Sequence, residues 1–237
     1  MTLRLFVDVA LQADADLALP PGAARHAQVR RVQPGDTLWL FDGHGSDWPA
    51  TVLAVGRSSV QVRVGAPVAV VNELAPRVTL AVGMPANERM DALVEKATEL
   101  GVAEIQPLLT ERSVLRLAGD RAERKRAHWQ AVAEAACEQC GRARVPLVRP
   151  VRTLADWLPQ AREGQRLVLS LQADAQPLSA LAAAPEVTTL SGPEGGLTPD
   201  EEAAARCCGF APAALGLRVL RADTAPLAVL AWLALRA

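Results

Sequence analysis

Two short segments near the carboxyl end carry residue types suited to holding a ligand. The first is Ser191-Gly192-Pro193-Glu194-Gly195-Gly196-Leu197, set between an apolar β-type run and a helix start. In an open α/β sheet, ligands bind beyond the carboxyl ends of the strands. Glycines there let backbone N–H and C=O groups come close to a ligand. The spacing is neither the dinucleotide GxGxxG pattern nor a phosphate-cradling loop. It suits a nucleotide-like ligand without a polyphosphate, or else an ordinary tight turn. The second segment is Leu215-Gly216-Leu217-Arg218-Val219-Leu220-Arg221-Ala222-Asp223-Thr224-Ala225, where a strand passes quickly into a helix. Taken alone it also reads as a turn with solvated arginines. A third feature, Cys137 and Cys140, has the CxxC spacing of zinc and redox sites. A zinc site would need two more ligands, and only Cys207, Cys208, His26, His44 and His128 remain. Both CxxC cysteines fall inside an apparent helix, so a packed helix face is preferred and no metal is expected.

The elements that must position these segments follow from periodicity. Val78–Gly83, Ala103–Leu108, Arg166–Leu171, Val187–Leu190 and Ala213–Leu217 read as strands. Between them lie helices at Asn87–Leu100, with Met90, Leu93, Val94 and Ala97 on one face, and at Asp120–Cys140, each stopped by a glycine. Thr198-Pro199-Asp200-Glu201 has the residues of a capping box. Asp223–Leu235 reads as the last helix. This alternation over residues 76–237 predicts a mostly parallel α/β sheet. Residues 1–70 differ. Leu3–Val9, Thr37–Phe41, Trp48–Val55 and Ser59–Val64 are strand-like, with a hairpin signal at Asp42-Gly43 and one helix at Pro21–Arg31. They predict a small β-barrel, joined by a linker over residues 66–77.

Charge is distributed unevenly. The whole chain carries a formal charge of -1, which predicts no strong overall pull toward nucleic acid. Residues 110–152, however, hold ten Arg or Lys against five acids. Such a stretch is either a solvated helix face or a phosphate-binding surface. The most apolar run, Leu227–Leu235, is too short to span a bilayer. No secretory signal is legible, so a cytoplasmic location with reduced thiols is expected.

Taken together, the motifs resemble a known family. The Gly192-Pro193-Glu194-Gly195-Gly196 loop, the acid-rich helix after it and Leu215-Gly216 through Leu220-Arg221 occur in the order seen in the ribosomal RNA methyltransferases that modify N3 of uridine 1498 in 16S rRNA. These belong to the knotted SPOUT class. Met90–Val102 is similar to the family's first catalytic-domain helix, and Ala136-Cys137-Glu138-Gln139-Cys140-Gly141-Arg142 to its long-helix motif. Arg4–Val7, His26, and Arg31–Asp36 leading into Leu40-Phe41-Asp42-Gly43 resemble its amino-terminal part. One departure is Asp223, where the family commonly has Glu.

The resemblance implies a PUA-like RNA-binding β-barrel over residues 1–70 and a trefoil-knotted methyltransferase domain over 76–237. It implies S-adenosyl-L-methionine as cofactor, 16S rRNA in the small ribosomal subunit as partner, a homodimer, and no metal or membrane. The cofactor would be held by Leu171, Gly192, Gly195, Gly196, Leu215, Gly216, Leu220 and Thr224. N3–H of uridine must lose its proton, so a cation beside the base and a carboxylate to accept the proton are needed. Arg221 is the candidate cation, and Glu194 and Asp223 the candidate bases. Arg4, His26, Arg30, Arg31, Arg112 and Arg142 are the candidate RNA contacts. Two other readings remain: a catalytically weak RNA-binding or assembly factor, and a SPOUT methyltransferase with another RNA target. A zinc or redox protein built on the CxxC is a third.

Overall fold

The alternating run Val60-Gln61-Val62-Arg63-Val64 is a strand whose valines are buried and whose polar residues are exposed, as a half-buried sheet requires. The computed structural model describes residues 2–86, 88–160, 163–180 and 184–236. Asn87, the expected start of the first α/β helix, lies outside them, as do Met1 and Ala237 at the ends of the two expected domains. The described chain divides into two units: residues 1–73 with 134–145, and residues 74–133 with 146–237.

The first unit contains β1 (Arg4–Phe6), β2 (Asp16–Ala18), α1 (Pro21–Val29), β3 (Thr37–Phe41), β4 (Ser46–Val55), β5 (Val60–Val64) and β6 (Val68–Ala69). Their order is β1-β3-β4-β5-β2, with β6 beside β4. Among its described strands only β1 and β3 run parallel to one another. The expected hairpin forms with four residues between β3 and β4; Gly43 and Gly45 there take φ of 85° and 102°. Leu5, Leu38, Leu40, Val52, Val60 and Val62 form its core, with Ala23, Ala24 and Ala27 of α1. Residues 134–145 belong here because Phe6, Phe41, Cys137, Ala143 and Val145 form one apolar cluster.

The second unit contains β7 (Arg77–Gly83), α2 (Glu88–Glu99), β8 (Glu104–Leu109), the first part of α3 (Gly119–Cys140), β9 (Leu147–Val148), β10 (Arg152–Thr153), α4 (Leu154–Trp157), β11 (Gln165–Leu169), β12 (Gln176–Pro177), β13 (Glu186–Ser191), α5 (Pro199–Cys207), β14 (Ala211–Ala214) and α6 (Thr224–Ala234). Every strand pair is parallel, in the order β10-β8-β7-β13-β11-β14-β12, with β9 beside β8. Both faces are covered, as a parallel sheet demands. Val78, Leu80 and Val82 pack on Met90, Leu93, Trp129 and Leu230. Ala81, Val168 and Leu190 pack on Trp157, Ala205 and Phe210. Asp91 accepts a hydrogen bond from Trp129 Nε1 at 2.9 Å, and its other oxygen lies 2.9 Å from His128 Nε2. This fastens α3 to α2.

Several expected strands are shorter than their sequence pattern suggests: β1 keeps Arg4–Phe6 of Leu3–Val9, β11 ends at Leu169 instead of Leu171, and β14 ends at Ala214 instead of Leu217. Gly216 turns the chain with φ of 98°, and Leu217 and Val219 are exposed at 103% and 78%. The apolar residues that mimic a strand there belong to a surface loop.

Candidate functional site

Strands β13, β11 and β14 are neighbours, and their carboxyl ends open on the same edge of the sheet. The loops that follow them enclose one cleft of about 460 Å³. Leu169 to Leu171 come from the end of β11, Ser191 to Gly196 from the end of β13, and Leu215 with Arg218 to Ala222 from the loop after β14. The size falls within the range of small-ligand sites, and apolar side chains and backbone dominate the lining. The glycine loop and the Leu215–Arg221 segment, some twenty residues apart in sequence, therefore face one another.

The glycines of the loop serve different ends. A Cβ on Gly192 would lie 2.6 Å from Gly196 C and Leu197 N, so this glycine lets the loop close on itself. Gly196 has φ of 69°, a left-handed conformation, and a Cβ there would meet nothing. The loop ends in the capping box expected from sequence: Thr198 Oγ1 accepts from Glu201 N at 3.2 Å, and Glu201 Oε2 accepts from Thr198 N at 2.9 Å.

The charged groups around the cleft are unequally engaged. Glu194 Oε1 accepts from Ala86 N at 3.0 Å and from Arg89 Nη1 at 3.2 Å. Burial raises the carboxyl's pKa, but the Ala86 amide, its own backbone amide and Arg89 outweigh that, so it lies below the ordinary glutamate value. Arg221 lines the cleft and is exposed. Its guanidinium has no hydrogen-bond partner among the described residues. Asp223 adjoins the cleft-lining Ala222, and its buried Oδ1 is unpartnered within the described chain. Arg221 and Asp223 thus do not form an ion pair with one another.

The other candidate cofactor residues divide as follows. Leu171, Gly192, Gly195, Gly196, Leu215 and Leu220 line the cleft, whereas Gly216 and Thr224 do not. Gly216 supplies the positive φ of the third loop, and Thr224 opens α6 with its backbone N–H on Arg221 O at 3.0 Å. Two cations at the cleft were not singled out as site residues from sequence. Arg218 belongs to the 215–225 segment and lines the cleft beside Arg221. Arg89 stands on α2, more than 100 residues from its partner Glu194, and nothing local in the sequence marks it.

The candidate RNA contacts fare unevenly. Arg4 is 10% exposed; it pairs with Asp47 at 2.6 Å, donates to the carbonyls of Cys137 and Arg142, and lies 3.9 Å from the centre of the Phe41 ring. Arg142 is 4% exposed and pairs with Glu73. Arg142 is buried and Arg4 half-buried, and both are engaged inside the first unit, which leaves their guanidiniums little freedom to meet phosphate. Arg30 and Arg31 are exposed, and His26 Nδ1 lies 3.2 Å from Glu138 Oε2. Arg112 donates to Gly195 O at 2.8 Å. Of the CxxC pair, Cys137 is buried, and burial pushes its thiol up to about 12. No cluster of His, Cys, Asp or Glu suited to a metal occurs among the described residues. No described helix is long and apolar enough to cross a membrane.

Comparison with known proteins agrees with this geometry. Residues 72–234 match a family model described as an RNA methyltransferase domain, and residues 19–65 one described as an RNA methyltransferase PUA domain. Ribosomal RNA small subunit methyltransferase E of Synechocystis is 32% identical over 98% of this chain and 77% of its own. The Mycobacterium bovis protein of the same name is 34% identical over 84% and 78%. Among solved structures, a methyltransferase of Legionella pneumophila with bound S-adenosylmethionine superposes with a TM-score of 0.94, at 32% identity, over 100% of this chain and 98% of that one. Ribosomal RNA small subunit methyltransferase E of Neisseria gonorrhoeae, also bound to S-adenosylmethionine, gives 0.92 at 33% identity over 98% and 96%. The chain belongs to the ribosomal RNA small subunit methyltransferase E family, RNA methyltransferases that join a PUA domain to a methyltransferase domain.

Proposed function

We propose that this protein methylates N3 of uridine 1498 in 16S rRNA, with S-adenosylmethionine as cofactor. The observation that carries the reading is the single cleft formed by the loops after β11, β13 and β14. Its residues suit an adenosine-type sulfonium: apolar Leu169, Leu171, Leu215 and Leu220 for the ring, backbone amides and carbonyls of the glycine loop for polar edges, and no polyphosphate cradle. When bound, the cofactor supplies an electrophilic methyl group. Leu171, Gly192, Gly195, Gly196, Leu215 and Leu220 would hold it, with Gly216 and Thr224 shaping the third loop. Most of the rate then comes from alignment and exclusion of water.

N3 lies on the Watson–Crick edge, so the uridine enters unpaired or turned out of its stack. Arg221 stands exposed at the cleft and stabilises the developing uridine anion. Glu194 lines the cleft but already holds Ala86 and Arg89, whereas Asp223 has an unpartnered oxygen but follows the lining residue Ala222, so both stay the candidate proton acceptors. The two-part division assigned from sequence, 1–70 for RNA and 76–237 for methyl transfer, is retained in this proposal. His26, Arg30 and Arg31 grip RNA from the first unit. A homodimer, a trefoil-threaded second unit, a cytoplasmic location and a substrate within the small ribosomal subunit belong to the same proposal. Exposed Leu217 and Val219 beside the cleft support the dimer. Small-subunit rRNA from a strain lacking the gene should miss one N3-methyluridine; an unchanged modification profile would overturn the assignment. Arg221→Ala should slow turnover far more than it weakens cofactor binding, and equal turnover would remove Arg221 from the chemistry.

A further inference from the structure

The missing side chain at Gly195 makes room for an arginine. A Cβ on Gly195 would come within 3.1, 3.3 and 3.7 Å of Arg112 Cβ, Cδ and Cγ, and no other atoms are as near. Arg112 is not among the residues that line the cleft. It crosses the outside of the loop and donates Nη1 to Gly195 O at 2.8 Å, with Leu197 O at 3.4 Å. The turn bearing it is itself anchored. Thr110 and Ser113 are both 4% exposed, and Thr110 N donates to Ser113 Oγ at 3.0 Å. Glu111 N donates to Glu201 Oε1 at 2.8 Å, the same carboxylate that closes the capping box of α5. One end of the 110–113 turn is therefore fixed in the core, its middle on α5, and its arginine on the loop.

We infer that Arg112 is a positioning residue: a latch that holds the Gly192–Leu197 loop in the shape that receives the cofactor. The inference rests on the proposed cofactor reading. A charge-assisted donor on the carbonyls of Gly195 and Leu197, which flank Gly196, resists the rotation of those peptides that would swing the cleft-side amides away. The loop has no apolar side chain between Pro193 and Leu197 to pack it down, so a directional contact is what remains to fix it. Having spent its guanidinium here, Arg112 adds little to RNA affinity, in contrast to the role first expected of it.

The test is calorimetric binding of S-adenosylhomocysteine to the full-length protein, with Arg112→Met and Arg112→Lys beside the parent. Methionine keeps the aliphatic stem that packs against Gly195 and removes the donors; lysine restores one. Arg112→Met should weaken the ligand by about tenfold, with a higher KM for S-adenosylmethionine and nearly unchanged kcat. Arg112→Lys should recover part of that loss. Binding to unmethylated small ribosomal subunits should keep its salt dependence in both variants. Unaltered ligand affinity in Arg112→Met, or a salt slope reduced by about 0.7–0.9, would overturn the latch. If the parent itself binds no S-adenosylhomocysteine, it is the cofactor reading that fails.

Discussion

A single methyl group at Gly192 should disable the cofactor cleft. In Gly192→Ala the new carbon would stand 2.6 Å from Gly196 C and from Leu197 N, and 2.9 Å from Gly196 Cα. Carbon atoms rest at about 3.5–4.0 Å, so the overlap is roughly 1 Å. All three opposing atoms are backbone, and no rotamer change relieves them. The loop must open by something close to that distance. A displacement of about 1 Å at a precisely shaped site costs on the order of a hundredfold, or about 2.8 kcal/mol. Gly195→Ala is the graded comparison. There the nearest atoms belong to the Arg112 side chain at 3.1–3.7 Å, which can withdraw, and the expected loss is no more than about tenfold. Calorimetry with S-adenosylhomocysteine ranks the two, and thermal unfolding without ligand confirms that both variants are folded. If Gly192→Ala binds within about twofold of the parent, or Gly195→Ala proves the worse, the loop is not closed on itself as described.

Other consequences are open to measurement. Glu194→Gln removes the carboxylate that holds Ala86 N and Arg89. Because the folded pKa is depressed, its contribution is present above the ordinary glutamate value and lost as pH falls through the folded value. The melting-point gap between parent and variant should therefore be present at neutral pH and close in acid, and a gap that widens in acid would contradict the assignment. Its size should stay under about 1 kcal/mol, since the pair is partly exposed. Arg30→Ala and Arg31→Ala should each lower the salt slope of RNA binding by about 0.7–0.9. Arg4→Ala should instead destabilise the first unit, seen as a lower melting temperature. Iodoacetamide at mildly alkaline pH should label exposed Cys207 and spare Cys137, whose thiol is pushed up to about 12; peptide mapping reads this directly.

Much of the frame was legible because periodicity and caps are local. The helix over Asp120–Cys140, the strand Thr37–Phe41 and the Thr198–Glu201 capping box stand where the sequence put them. The expected strand Ala213–Leu217 overruns β14 because local pattern cannot tell an apolar residue in a core from Leu215 or Leu217 in a loop. The arginines were the hardest to place. Sequence gives each the same charge, whereas burial separates Arg4 and Arg142, at 10% and 4% exposed, from Arg30 and Arg31. Arg144 is exposed, yet its guanidinium lies against Gly45, 2.9–3.0 Å from where a Cβ would stand.

The same limit explains why the cleft could be located but not detailed. A pocket built from backbone leaves its mark on sequence only as permissive residues, and glycine is permissive for several reasons. Gly192 is required by Gly196 and Leu197, Gly195 by Arg112, and Gly196 by its own φ of 69°. None of the three needs a ligand to account for it. Gly83 extends the point: a Cβ there would lie 2.6 Å from Pro193 Cδ, so a glycine on β7 is part of the loop's design though it stands over 100 residues away. The glycine pattern thus encodes how the loop packs against β7, itself and Arg112, and the ligand site is the hollow that this packing leaves. It follows that substitutions on the outer side of the loop should alter cofactor affinity as surely as those inside, which the Arg112 and Gly195 variants test from opposite partners of one contact.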